Sequence, residues 1–331
     1  MIPHTTKPTG RIRKTFGALL LISGASISVI RAQVTNYEWA SATDGDWETR
    51  TNWSPDPGSA AIGTNAATRF DRVTISKEVT VTRTGDIRFY TSGTPTGTKT
   101  GSFNALTLSG NARLDVTGDV QISSSSGGYT RNALVETGSI LNIAGTLSTG
   151  VQNATGVTSR WDIRGSVTTA NFAGQQSTSA NDGVNGGYIL NIDGGSFTVT
   201  ETFDWRVTTG ARTDLTGQIN ISGGGTVFIN TMNEEWAFSS QQFVNFGDGT
   251  GSLTFGKTNW GEESLVRSLI SSGHIRLDSS VQGQLDLADN GDTWTISVST
   301  IPEPATVAVL AAAILLVYAA TNRLRNPAHT S

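Results

Sequence analysis

Histidine, cysteine and clustered carboxylates supply most hydrolytic and metal chemistry, and the first two are nearly missing from this chain. It has no Cys and three His, of which His4 and His329 lie near the ends. That removes disulfide staples, thiolate nucleophiles and Cys-ligated metal centres. A Ser-His-Asp triad would have to use His274, and Gly273-His274-Ile275-Arg276 is not a nucleophile elbow. Asp193, Asp204, Asp214, Arg206 and Arg212 are candidates for the acid–base work of a polysaccharide lyase or hydrolase, but their spacing singles out no pair. The acidic stretches Asp44-Gly45-Asp46, Asn181-Asp182-Gly183, Asp248-Gly249 and 289–292 match neither the EF-hand loop nor the glycine-rich calcium repeat. They read as plain turns, and neither a metal nor a cofactor is expected. Trp39, Trp47 and Trp53 remain, whose flat rings would form either a sugar-stacking platform or an aromatic cap over a sheet edge; the cap is preferred.

The elements that must position these residues are strands. Of 331 residues, 38 are Gly, 15% are charged and 36% are apolar, with Ser and Thr abundant, a profile of an extracellular, β-rich chain rather than a helical bundle or a doubly wound α/β enzyme. A motif of apolar residue, Asn or Asp, Ile or Val, any residue and Gly recurs as Leu114-Asp115-Val116-Thr117-Gly118, Leu141-Asn142-Ile143-Ala144-Gly145, Trp161-Asp162-Ile163-Arg164-Gly165, Leu190-Asn191-Ile192-Asp193-Gly194 and Ile219-Asn220-Ile221-Ser222-Gly223. The spacing of the copies is nearly even, apart from one short step between Leu141 and Trp161. Alternation followed by Gly is a strand and a turn, and second short strands follow at Val120-Gln121-Ile122, Phe197-Thr198-Val199 and Val227-Phe228-Ile229.

This pattern predicts an all-β chain whose body, 73–298, is a parallel β-solenoid, since each coil can bury its apolar face only against its neighbours. The rival, an antiparallel sandwich, does not explain a recurring motif. If register holds, Asp115, Asn142, Asp162, Asn191 and Asn220 form one outward row with neighbours about 4.8 Å apart, a solvated strand face rather than a calcium or sugar ladder. Residues 261–273 predict a helix with Leu265, Val266, Leu269 and Ile270 on one face and Gly273 as its cap. Strands are expected at 275–277, 285–287 and 294–298, with a turn at 289–292.

Both ends read as addresses. Lys7, Arg11, Arg13 and Lys14 precede an apolar run from Phe16 to Ile30 and then Arg31-Ala32, the layout of a secretory signal peptide over 1–32 cut between Ala32 and Gln33. Residues 305–320 are almost purely apolar and are followed by the basic tail 321–331 with Arg323 and Arg325. As a helix they would span about 24 Å, a thin transmembrane crossing with the arginines cytoplasmic. Without these ends, residues 33–322 keep 16 basic and 27 acidic residues, a formal charge of −11, which repels phosphate backbones and argues against nucleic acid as a partner.

Between body and span, in the linker 299–304, stands Pro302-Glu303-Pro304. Pro-Glu-Pro, a short apolar helix and terminal arginines together resemble the PEP-CTERM sorting signal of exported bacterial proteins; here two arginines are followed by a further short segment, Asn326 to Ser331. The resemblance covers the chain from Ile301 onward. It implies export through the Sec machinery, transient inner-membrane anchoring, and processing near Pro302, Glu303 and Pro304 by an exosortase-type membrane protease. Arg323 and Arg325 would fix topology. The segment from Gln33 to Pro57, with Trp39, Gly45-Asp46-Trp47, Asn52-Trp53 and Pro55-Asp56-Pro57, resembles the opening segment before β-helical passenger-type repeats of bacterial surface proteins, so 33–72 is expected to be an N-terminal cap. The expectation is a non-catalytic structural or adhesive protein of the cell surface or exopolysaccharide matrix. A carbohydrate-binding β-helix is the alternative, and an enzyme comes third.

Overall fold

The computed structural model describes residues 33–59, 61–63, 69–89, 101–122, 124–125, 129–149, 151–152, 158–174, 187–204, 216–232, 242–299, 312–318 and 321. Those between 33 and 299 form a parallel β-solenoid in which the chain alternates between two long sheets. Sheet A runs through Gln33–Trp39, Arg69–Ile75, Gly101–Leu108, Tyr129–Val135, Thr158–Ile163, Gly187–Asp193, Thr216–Ser222, Gln242–Phe246 and Ile275–Leu277, each parallel to the next. Sheet B runs in parallel through Gly45–Asp46, Thr80–Arg83, Arg113–Val116, Ile140–Ser148, Ser166–Ala173, Ser196–Asp204, Thr226–Met232 and Ser252–Gly256.

Alternation places one side chain in two inside, and register stacks like upon like. Leu106, Ala133, Trp161, Leu190 and Ile219 form one inward row of sheet A; Leu114, Leu141, Val167, Phe197 and Val227 form the facing row of sheet B. All are buried, and no coil could hide its share alone. The corner between the sheets is tight. At Gly165 a Cβ would stand 2.3 Å from the Ser139 carbonyl oxygen and 2.4 Å from that of Glu136, and at Gly195 2.5 Å from that of Gly165. Glycine in the repeat therefore serves close coil-to-coil approach as well as turning.

The expected single row of Asp and Asn is two rows. Asp115 and Asn142 lie on sheet B, whereas Asp162, Asn191 and Asn220 lie on sheet A. The short interval between Leu141 and Trp161 is the step from one sheet to the other. Within each row the amides bridge coils: Asn142 Nδ2 donates to Asp115 Oδ1 at 2.7 Å, Asn191 Nδ2 to Asp162 Oδ1 at 2.8 Å, and Asn220 Nδ2 to Asn191 Oδ1 at 2.9 Å.

Residues 33–72 do more than cap. Gln33–Trp39 is already a solenoid strand, in register with Arg69–Ile75 over six pairs, so the ladder starts before the expected boundary at 73. Its outer edge is met antiparallel by Trp53–Ser54. At the other end, Thr293–Ser299 and Gln284–Asp289 close sheet B as an antiparallel hairpin. The helix Glu263–Ser271 ends in a Schellman arrangement: Gly273 at φ +79° donates to the Ile270 carbonyl, and His274 N–H to that of Leu269. Val266 and Leu269 are buried, but Leu265 is 44% exposed and lies off the buried face.

Residues 312–318 are helical and exposed. Among the described residues no helix is long and apolar enough to cross a membrane; the rest of 305–320 apart from these, the signal segment through Ala32, Pro302, Glu303, Pro304, Arg323 and Arg325 lie outside the described residues. Gln33 is the first residue of the first strand.

Candidate functional site

The three tryptophans do not offer a platform. Trp39, Trp47 and Trp53 are 0, 2 and 3% exposed. Trp39 and Trp47 each meet Trp53 edge-on, with ring centroids 5.0 and 4.8 Å away. Trp53 Nε1 donates to the Trp47 carbonyl at 2.7 Å, and Trp47 Nε1 to the Ile62 carbonyl at 3.1 Å. The ring faces are spent on one another, so these residues are core of the first coil and the sugar-platform reading is withdrawn.

The carboxylates considered for chemistry serve coil geometry. Asp44 Oδ1 accepts from the Thr80 N–H at 2.6 Å, and Asp248 Oδ2 from the Gly223 N–H at 2.5 Å. Burial pushes the Asp248 carboxyl up, but the N–H groups of Gly223 and Thr250 and the Thr250 hydroxyl bring it below the ordinary range. Asp193 accepts from the Ser222 hydroxyl at 3.2 Å and faces Arg164 at 3.7 Å. Asp204 ends its sheet B strand; Arg206, Arg212 and Asp214 lie outside the described residues. The His274 ring meets the Gln242 carbonyl oxygen through Nδ1 at 3.0 Å. Among the described residues no three His, Asp or Glu side chains are grouped to hold a metal ion.

Register assembles a different surface, one that sequence reasoning does not single out. On the outer face of sheet B, Ser166, Ser196, Thr226, Ser252 and Ser297 stand in one row, and Thr168, Thr198, Phe228, Thr254 and Thr295 in the next. Nine of these ten positions carry a hydroxyl and none carries a charge. Hydroxyls pair along the rows, Ser196 Oγ to Ser166 Oγ at 3.0 Å and Thr254 Oγ1 with Thr295 Oγ1 at 2.9 Å. Phe228 is 36% exposed among them. Beside the first row an open groove of about 480 Å³ follows the corner across successive coils, lined by Gly138, Gly165, Gly194, Gly195 and Gly224 together with Ser166, Ser196 and Thr226.

The outer face of sheet A is different in kind. Asn220 and Asn245 continue its amide row toward Arg276, whose guanidinium lies 3.5 Å from the Phe243 ring centroid. This ring is 9% exposed, and an open hollow of about 490 Å³ lies over Gln218, Asn220, Phe243, Asn245 and Arg276.

Compared with protein-family models, with curated proteins and with solved structures, the chain matches none.

Proposed function

We propose that this is an exported, non-catalytic protein of the cell surface or extracellular matrix, with a structural or adhesive role. The observation that carries the reading is the order of three features at the C-terminus: Pro302-Glu303-Pro304, the apolar run 305–320, and Arg323 with Arg325. In this reading residues 1–32 direct Sec export, the apolar run holds the chain in the inner membrane, and an exosortase-type protease acts near Pro304. The formal charge of −11 on residues 33–322 suits a body that stays dispersed outside the cell. A stack of similar coils suits a structural role, because its length is its main property.

Intact mass and N-terminal sequencing of the protein recovered from the cell surface and the medium test this. A species running from near Gln33 to near Pro304 is expected, and changing Pro302, Glu303 and Pro304 to Ala should leave the body membrane-bound. Persistence of 305–331 in the native protein, or unchanged release of the triple variant, would overturn the sorting claim. The second reading, a carbohydrate-binding β-helix, is favoured by the hydroxyl rows of sheet B.

A further inference from the structure

We propose that the outer face of sheet B, with the groove along its corner, binds a neutral polysaccharide chain laid along the solenoid axis. This deepens the matrix reading, and rests on it for where the polymer is met.

Periodicity points to a polymer. The two rows repeat at the coil spacing, about 4.8 Å, and stand roughly 6.6 Å apart across it, two residues of strand. Such an array offers the same pair of contacts again and again in one direction, so a chain with a repeating set of hydroxyls can engage many positions at once, whereas a small ligand would use one. The groove runs the same way, crossing the turns that hold Gly165, Gly195 and Gly224. Gly224 has open space where a Cβ would stand, so a partner can reach its backbone, whereas at Gly165 and Gly195 that space is filled by carbonyl oxygens of the preceding coil.

Charge selects the class. Ser166, Thr168, Ser196, Thr198, Thr226 and Ser252 have no charge to answer an ionic polymer, Arg164 at the groove is already paired with Glu136 and Asp193, and the −11 body repels an acidic polymer. Hydroxyls both donate and accept, as do those of a sugar. Phe228 supplies the other requirement, an exposed ring rising among hydroxyls, on which the apolar C–H face of a pyranose can rest. The same ring argues against an ice lattice, because it breaks the flatness that a crystal plane would need. It argues against a protein partner too, since a single aromatic among hydroxyls is far short of the apolar centre that protein interfaces bury.

The test uses full-length protein in mild detergent and measures binding to cellulose, chitin, curdlan and agarose, with alginate as the acidic comparator. Retention on at least one neutral polymer, insensitive to added salt, is expected. Phe228→Ser and Thr198→Lys should each weaken it by about tenfold or more, while Arg267→Ala on the helix leaves it unchanged; circular dichroism confirms that the variants are folded. Retention on none of the four neutral polymers, retention on alginate alone, or equal binding by folded Phe228→Ser and Thr198→Lys would each overturn the proposal. Inhibition of ice-crystal growth without polymer retention would assign the face to ice instead. Membrane release plays no part in the readout, so binding and sorting can fail separately.

Discussion

Asn191 donates from Nδ2 to the Oδ1 of Asp162 at 2.8 Å, while its own Oδ1 accepts from Asn220 Nδ2 at 2.9 Å. One amide thus links three coils, and it must be an amide: a carboxylate there could only accept. Asn191→Asp should cost about 1 kcal/mol at neutral pH, because it sets two carboxylates directly opposite each other. In acid a protonated carboxyl can again donate across the pair, so the loss should shrink as pH falls. Thermal melts of the variant and parent from acid to neutral pH check both sign and recovery.

At Gly165 the corner has no room to yield. Its missing Cβ leaves space for the Ser139 and Glu136 carbonyl oxygens, both backbone atoms. Gly165→Ala should destabilise by about 1–3 kcal/mol through overpacking. Gly291, at φ +83° with nothing within 4 Å of where a Cβ would stand, should lose only about 1 kcal/mol on the same change, from backbone strain alone. Chemical denaturation of the two variants side by side separates crowding from conformation.

Trp53 holds the start of the solenoid through its edge contacts with Trp39 and Trp47 and its bond to the Trp47 carbonyl. Trp53→Ala should cost about 3–5 kcal/mol. The damage should be local, since coils touch only their neighbours: hydrogen exchange should rise over residues 33–54 and remain near the parental level beyond 190.

Acid should unfold the chain from its corners. The Asp119 backbone N–H, followed by Arg88 and Arg83, holds the Asp86 carboxyl below the ordinary value of 3.8, and the Ser280 backbone N–H does so for Asp278. A carboxylate with a lowered folded pKa adds stability that is complete above its unfolded value and is lost as pH falls through the folded one. Stability should therefore be level above about pH 5 and fall below about pH 4. Asp86→Asn should lower stability at neutral pH and flatten that acid limb; an unchanged limb would remove Asp86 from the cause.

The coil repeat is legible in the sequence because Leu114, Leu141, Leu190 and Ile219 each belong to a strand that runs into a glycine. Assigning its copies to sheets is not, because both sheets use the same alternation and only pairing reveals that Leu141 stacks on Val167 while Trp161 stacks on Leu190. The helix within 261–273 and the closing hairpin are readable from local signals, a cap glycine and the turn at 289–292. The tryptophans are ambiguous, since a ring that stacks on sugar and one that fills a core are the same residue. The sheet B face is hidden for a compositional reason. Its triplets Ser166-Val167-Thr168, Ser196-Phe197-Thr198 and Ser252-Leu253-Thr254 are plain in the chain, but Ser and Thr are so common that such triplets do not stand out until register aligns them.

Trp161 pairs with Leu190 and Val167 with Phe197, in each case a partner one coil further along the chain. Nearly every strand waits only for the coil just before it, so loop closure is short and repeated rather than long and single. A chain threaded through a pore N-terminus first could add finished coils to the Trp39 end while its last residues were still inside. Folding would then pull in one direction, each completed coil opposing backward slippage.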